Sequence, residues 1–87
     1  MKKDQQIIKN LDLSEKLAGY IADNPDVVEK FPSKASYVPF SLHDDKLNKA
    51  NEKLVESLKE ESKYIIKAQQ TDNRNHPWNF TLIFSSV

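Results

Sequence analysis

The segment Ala35–Gln69 constrains the fold more than any other part of the chain, because its pattern changes from strand to helix and back to strand. It reads ASYVPFSL, then HDDKLNKANEKLVESLKEES, then KYIIKAQ. A connection of this length between two strands makes the strands parallel and the crossover right-handed. The sequence therefore predicts one β–α–β unit, to which the remaining elements attach.

The first strand of this unit is expected over residues 36–42, with two alternating sets of side chains. One set comprises Val38, Phe40 and Leu42, and the other comprises Tyr37, Pro39 and Ser41. Because proline has no backbone N–H to donate to a β-ladder, Pro39 indicates that this strand lies at an edge of the sheet.

The helix that follows is expected to begin with Asp44 as its N-cap and to end near Ser62. The residues at helical spacing on its apolar side are Leu47, Ala50, Leu54 and Leu58, supported by Asn51 and Val55. This pattern predicts an amphipathic helix with one buried stripe and a charged side that faces solvent.

Two further strands complete the expected sheet. The second strand covers residues 64–70, and the polar turn TDNRNHP separates it from a third strand over residues 78–86. A short polar turn between alternating segments favours an antiparallel hairpin. The third strand alternates between two sets, which are Trp78, Phe80, Leu82 and Phe84 on one face and Asn79, Thr81, Ile83 and Ser85 on the other.

An N-terminal helix is expected over residues 4–23. Its predicted buried stripe consists of Ile7, Leu11, Leu17, Ala18 and Ile21, widened by Leu13 and Tyr20. Gly19, the one glycine of the chain, lies inside this helix, where glycine costs about 1 kcal/mol relative to alanine. We interpret Gly19 as a point of close packing against another element. Asn24 and Pro25 then favour a short second helix that ends at Lys30.

These elements predict one domain, residues 1–87, of the α+β class. The expected architecture is a two-layer sandwich with the order α–(short α)–β–α–β–β and a mixed three-stranded sheet in the order 1-2-3. Strands 1 and 2 are parallel, and strands 2 and 3 form the antiparallel hairpin. The two main helices would cover one sheet face, over Val38, Phe40, Ile66, Phe80, Leu82 and Phe84.

Composition argues against several classes of function. The chain has no cysteine, which excludes disulfides and cysteine-ligated metals. Its formal net charge is zero, and Arg74 is its one arginine, so nucleic-acid binding through Lys2, Lys3, Lys9 and Arg74 is disfavoured. Because it has neither an apolar signal segment nor the roughly 20 apolar residues of a membrane span, we expect a cytoplasmic protein without membrane contact.

The loop after the first strand is the first candidate site. His43, Asp44 and Asp45 follow the carboxyl end of that strand, where ligands collect in open α/β sheets. Together with His76 from the hairpin turn, they could bind a metal or take part in acid–base chemistry. The alternative is helix capping beside exposed polar residues, since a metal site needs three or four converging ligands.

Two other candidates are binding contacts. Asn51 interrupts the apolar stripe of its helix, so it forms either a structural hydrogen bond to a nearby loop or a contact with a partner or ligand. Arg74, His76 and Trp78 lie in or beside the hairpin turn and are types favoured at binding surfaces. Alternatively, Trp78 folds back onto the core and the turn is an ordinary loop.

The fourth candidate is the sheet face that the helices would leave open. It would present Tyr37, Ile65, Thr81 and Ile83, and the third strand has neither Pro nor Lys to protect its edge. A homodimer that pairs the third strands, or that packs the open faces together, would cover these surfaces. The alternative is that the first helix or the last residues of the chain cover them.

The chain lacks the recognised motifs of catalysis. It has no glycine-rich phosphate loop and no G-x-S-x-G turn. We therefore predict a non-enzymatic protein–protein interaction or regulatory module that acts as a homo-oligomer without a cofactor. The alternative is a small-ligand or metal-binding domain that uses the loop after the first strand.

The segments KNLDLSEKLAGYIADNPDVVEKFP and SYVPFSLHDDKLNKANEKLVESLKEESKYII resemble a small, uncharacterised prokaryotic family, a domain of unknown function. The resemblance covers about residues 9–66, and the hairpin TDNRNHPWNF departs from the family pattern. It implies a helix–strand–helix–strand fold and no particular activity. The residues that carry it are Asn10, Leu11, Leu13, Ser14, Tyr20, Pro25, Pro32, Asp44, Leu47, Asn51, Leu54 and Leu58.

Overall fold

The structure, a computed structural model, describes residues 2–86. Helix α1 spans Lys3–Asp23, and a short 3-10 helix, Pro25–Val28, follows it. Strand β1 is Ser36–Phe40, and helix α2 is Asp45–Leu58. Strands β2 and β3 are Tyr64–Gln70 and Trp78–Ser85.

The sheet has the topology that the sequence predicts. Its order is β1-β2-β3, with β1 parallel to β2 and β2 antiparallel to β3. The α+β class, the element order and the mixed sheet are therefore confirmed. Strand β1 lies at an edge, which suits Pro39 because the missing N–H of proline removes no ladder bond there.

Both faces of the sheet contribute to the core, so the predicted grouping of face residues is wrong. Tyr37 pairs with Ile66, whereas Val38 pairs with Lys67, which places Val38 and Ile66 on opposite faces. Periodicity within each strand could not show this, because it does not fix which face of β2 matches which face of β1.

The core divides into two clusters, one on each face. The cluster on the face of Tyr37 contains Leu13 and Leu17 of α1 with Leu47, Ala68 and Trp78. The cluster on the other face contains Val38, Phe40, Val55 and Ile65. Helix α2 contributes to both, since Leu47 in its first turn joins the α1 cluster and Val55 packs on the opposite face. Helix α1 packs on one face alone.

A β-bulge in β3 breaks the regular alternation expected for that strand. Ile66 pairs with Leu82, but Ile65 pairs with Phe84, which leaves Ile83 as the extra residue. Phe84 therefore packs in the cluster of Ile65 and not beside Phe80 and Leu82. An inserted residue leaves no mark in a period-two pattern, which explains why the sequence did not reveal it.

Helix α1 is rotated about its axis relative to the prediction. Leu13 and Leu17 are its buried residues, while Ile7 and Leu11, which were expected in the core, are exposed. A Cβ added at Gly19 would meet no atom within 4 Å. The interpretation of Gly19 as a point of close packing is therefore wrong for contacts within the chain.

Candidate interaction surface

Asn51 is a buried amide at the junction of α1, α2 and β1. Its side-chain Nδ2 donates to Asn10 Oδ1 and to the Pro39 carbonyl, each at 2.9 Å. Its Oδ1 accepts from Asn10 Nδ2 at 3.0 Å and from Gln6 Nε2 at 3.2 Å. A primary amide has two donor hydrogens and two acceptor lone pairs, so this side chain is saturated. Asn51 thus joins three elements and has no hydrogen bond left for a ligand.

Asp44, in the loop after β1, caps α2. Its Oδ1 accepts the N–H of Leu47 at 3.0 Å, and its Oδ2 accepts from Lys9 Nζ at 3.0 Å. The hydrogen bond from the Leu47 backbone, followed by the bond from Lys9, holds the pKa of Asp44 below its ordinary value. Both carboxylate oxygens are engaged within the chain, and His43 and Asp45 beside it are exposed. Residues 2–86 contain no cluster of three His, Cys, Asp or Glu able to bind a metal.

The hairpin turn is held by its own hydrogen bonds. Asn73 Oδ1 accepts the N–H of His76 at 3.3 Å, and Thr71 Oγ1 donates to the His76 carbonyl at 2.7 Å. Trp78 is buried in the α1 cluster, whereas Arg74 and His76 are exposed. The structure therefore separates Trp78 from the other two, and the three side chains do not form one surface.

The predicted dimer surface is divided between the two sheet faces. Ile65 is 0% exposed and packs in the cluster of Val55, so it cannot contact a partner, and its place in that surface is corrected. Tyr37 is half-buried on the α1 side, 6.2 Å from Phe80 between ring centroids, and burial raises the pKa of Tyr37. Thr81 and Ile83 are exposed on β3, the second edge strand of the sheet. Of the predicted set, these two remain accessible.

The most exposed large apolar side chains of the described residues lie on α1, where the sequence predicted a buried stripe. Ile7, Ile8 and Leu11 are 53%, 67% and 61% exposed. The other exposed large apolar side chains within residues 2–86, which range from 37% to 43%, are Leu42, Leu54, Leu82 and Ile83.

Two parallel stripes at the same helical spacing run along α1. The inner stripe, which faces the core, consists of Gln6, Asn10, Leu13 and Leu17. The outer stripe, displaced by one residue, consists of Ile7, Leu11, Ser14 and Ala18, with Ile8 beside it. The outer stripe is the candidate interaction surface.

The sequence contains a signal for this arrangement that apolarity alone does not detect. The inner stripe begins with two amides, Gln6 and Asn10, and both bond to the buried Asn51 of α2. A search for the most apolar stripe therefore selects Ile7 and Leu11 for the core. Matching the amides of one helix to the amide of the other would have selected the inner stripe.

Comparisons with known proteins place the chain at the level of a family. None of the helices within residues 2–86 is long and apolar enough to cross a membrane. No match was found among curated proteins or among solved structures. The chain does match a family described as Family of unknown function (DUF5647), over residues 5–84. Because that match runs from the first turn of α1 through the hairpin into β3, the chain belongs to the DUF5647 family of unknown function.

Proposed function

We propose that the protein is a non-enzymatic protein–protein interaction module that self-associates through the outer stripe of α1. The observation that carries this proposal is the exposure of Ile7, Ile8 and Leu11 on one regular helix. Exposed apolar side chains that adjoin one another commonly mark an interaction site. Burying each of them in an interface contributes on the order of 1 kcal/mol, since about 25 cal/mol is gained per Å² of apolar surface removed from water.

The anchoring of α1 supports the same proposal. Leu13 and Leu17 fix the helix to the sheet, and Asn10 fixes it to α2 and β1 through Asn51. A surface on a helix that is already ordered loses little conformational freedom when it binds, so less of the contact energy is offset. The formal net charge of zero also gives little long-range repulsion between copies.

The alternative, a small-ligand or metal-binding domain, has less support from the same geometry. Asn51 is saturated by its neighbours, and Asp44 already accepts hydrogen bonds from Leu47 and Lys9. His43 and Asp45 are exposed, and no three His, Cys, Asp or Glu side chains of residues 2–86 converge to hold a metal. We therefore propose that the protein functions through self-association, in the cytoplasm and without a cofactor.

The test measures, by sedimentation equilibrium, the oligomeric state of the wild type and of two matched double variants. We expect the wild type to dimerise and Ile7→Ser with Leu11→Ser to raise the dissociation constant by about tenfold or more, since ~1.4 kcal/mol corresponds to a factor of ten. The control, Leu82→Ser with Ile83→Ser, changes exposed apolar residues of β3. It should change the dissociation constant by less than about threefold. Circular dichroism checks that both variants fold.

Either of two results would overturn this proposal. A wild type that stays monomeric at millimolar concentration would remove self-association altogether. A dimer that the β3 variant dissociates and the α1 variant does not would move the interface to the edge of the sheet.

A further inference from the structure

The outer stripe changes in size from one end of α1 to the other. Its N-terminal half carries the large side chains Ile7 and Leu11, and its C-terminal half carries the small residues Ser14 and Ala18. Gly19 lies beside the small half, and the space around it is open to at least 4 Å from a Cβ. One half of the stripe therefore projects, and the other half is recessed.

The charges of α1 are divided in the same way. From Lys2 to Leu11, basic residues outnumber acidic residues by three to one. From Asp12 to Asp23, acidic residues outnumber basic residues by three to one. The helix dipole has the same sense, positive at the N-terminus and negative at the C-terminus. Ion pairs join Lys9 to Asp44 at 3.0 Å and Lys16 to Asp12 at 3.4 Å, which leaves an excess of one basic residue in the first half and of two acidic residues in the second.

From this division we infer that the outer stripe binds a second copy of the same chain, with the two α1 helices antiparallel. The inference rests on the proposed function and adds the relative orientation of the two copies. A two-fold axis near Asp12 and Leu13 would place Ile7 opposite the partner's Ala18, and Leu11 opposite the partner's Ser14. Each large residue of the stripe then packs against a small residue of the partner, and the two-fold axis repeats both contacts. The half of each helix with more basic residues lies along the half of the other with more acidic residues.

A parallel pair would lose both kinds of complementarity. It would place Ile7 against the partner's Ile7 and Ala18 against the partner's Ala18, which holds the helices apart at one end and leaves a gap at the other. It would also bring halves of like charge together, and like-charge juxtaposition is costly. The antiparallel arrangement is therefore the one that this stripe fits.

The absence of cysteine makes the arrangement directly testable. Ile7→Cys and Ala18→Cys are prepared separately, then mixed and allowed to exchange before mild oxidation. In the antiparallel pair the mixture should form a disulfide between the two variants. Each variant alone should form none, because equivalent positions lie about 16 Å apart along the helix axis and a disulfide needs Cα atoms within about 7 Å. Lys16→Cys, on another side of α1, is the control and should not cross-link.

The remaining outcomes distinguish this inference from the proposed function. A disulfide formed by Ile7→Cys alone indicates a parallel pair and overturns the antiparallel arrangement. A dimer in sedimentation that gives no cross-link in any sample overturns the α1 pairing, while self-association itself stands. A monomeric wild type overturns both, as does capture of a different protein with no homodimer.

Discussion

Asn51 of α2 holds α1 in place through hydrogen bonds to two of its side chains. Its partners Asn10 and Gln6 lie 41 and 45 residues away in the sequence, and both turn toward the core to reach it. The sequence shows Asn51 as a polar residue in an apolar stripe, so its need for a partner could be predicted. Its actual partners could not, because contacts at such a separation leave no local periodicity. These hydrogen bonds, together with the packing of Leu13 and Leu17, set the rotation of α1 that leaves Ile7 and Leu11 exposed.

Replacing Asn51 with leucine should therefore lower the free energy of unfolding by about 2–3 kcal/mol. Leucine has a similar size but leaves the Pro39 carbonyl and the Asn10 amide without their buried partner. Urea unfolding, followed by far-UV circular dichroism, measures the loss. The same substitution at Asn79, an exposed residue of β3, is the control and should change stability by no more than about 0.5 kcal/mol. Equal stability of the two variants would contradict a structural role for Asn51.

At the scale of the elements, existence and order could be predicted, but rotation and register could not. The strands and helices follow from periodicities of 2 and 3.6 residues, and the parallel pairing of β1 and β2 follows from the helix between them. The rotation of α1 depends on a choice between two stripes of equal spacing. The register of β3 depends on the bulge at Ile83. Contacts between elements determine both the rotation of α1 and the register of β3.

Gly19 gives a prediction about α1 as an element. At protein concentrations low enough to keep the chain monomeric, Gly19→Ala should raise the free energy of unfolding by roughly 0.5–1 kcal/mol. The new methyl group meets no atom within 4 Å, and alanine has the higher helix propensity. The neighbouring exposed residue supplies the control, since Ala18→Gly should lower stability by a similar amount. Urea titration of dilute protein measures both, and a loss of stability in Gly19→Ala would show that the site is strained or crowded.

At the scale of the whole molecule, the topology was predictable and the proposed interaction surface was not. The sheet order is confirmed because three strands with one helical connection and one hairpin allow few arrangements. The predicted dimer surface failed at Ile65 because α2 contributes to the core on that face. Which apolar residues stay exposed is known only after every element has been placed. Within residues 2–86, α1 keeps an apolar stripe that no other element covers.

Because the formal net charge is zero, the salt dependence of dimerisation reveals how the charged halves of the two α1 helices are oriented. Two neutral molecules have no overall repulsion to screen, so added sodium chloride acts on the arrangement of charges. A dissociation constant that falls as salt is added would therefore indicate that halves of like charge meet, and would contradict the antiparallel pair.

For the antiparallel pair we expect the dissociation constant to rise several-fold between about 0.01 M and 1 M sodium chloride, as the screening length shrinks from about 30 Å to about 3 Å. Helix α1 is itself about 30 Å long, so its two ends interact with a partner in dilute salt and are isolated from it in concentrated salt. Sedimentation equilibrium at four or five salt concentrations measures the trend. The control is Lys3→Gln with Glu15→Gln, which removes one charge from each half and keeps the net charge at zero, so its response should be flatter. Because the outer stripe is unchanged in that variant, the difference between the two slopes isolates the contribution of the charged halves from that of apolar burial.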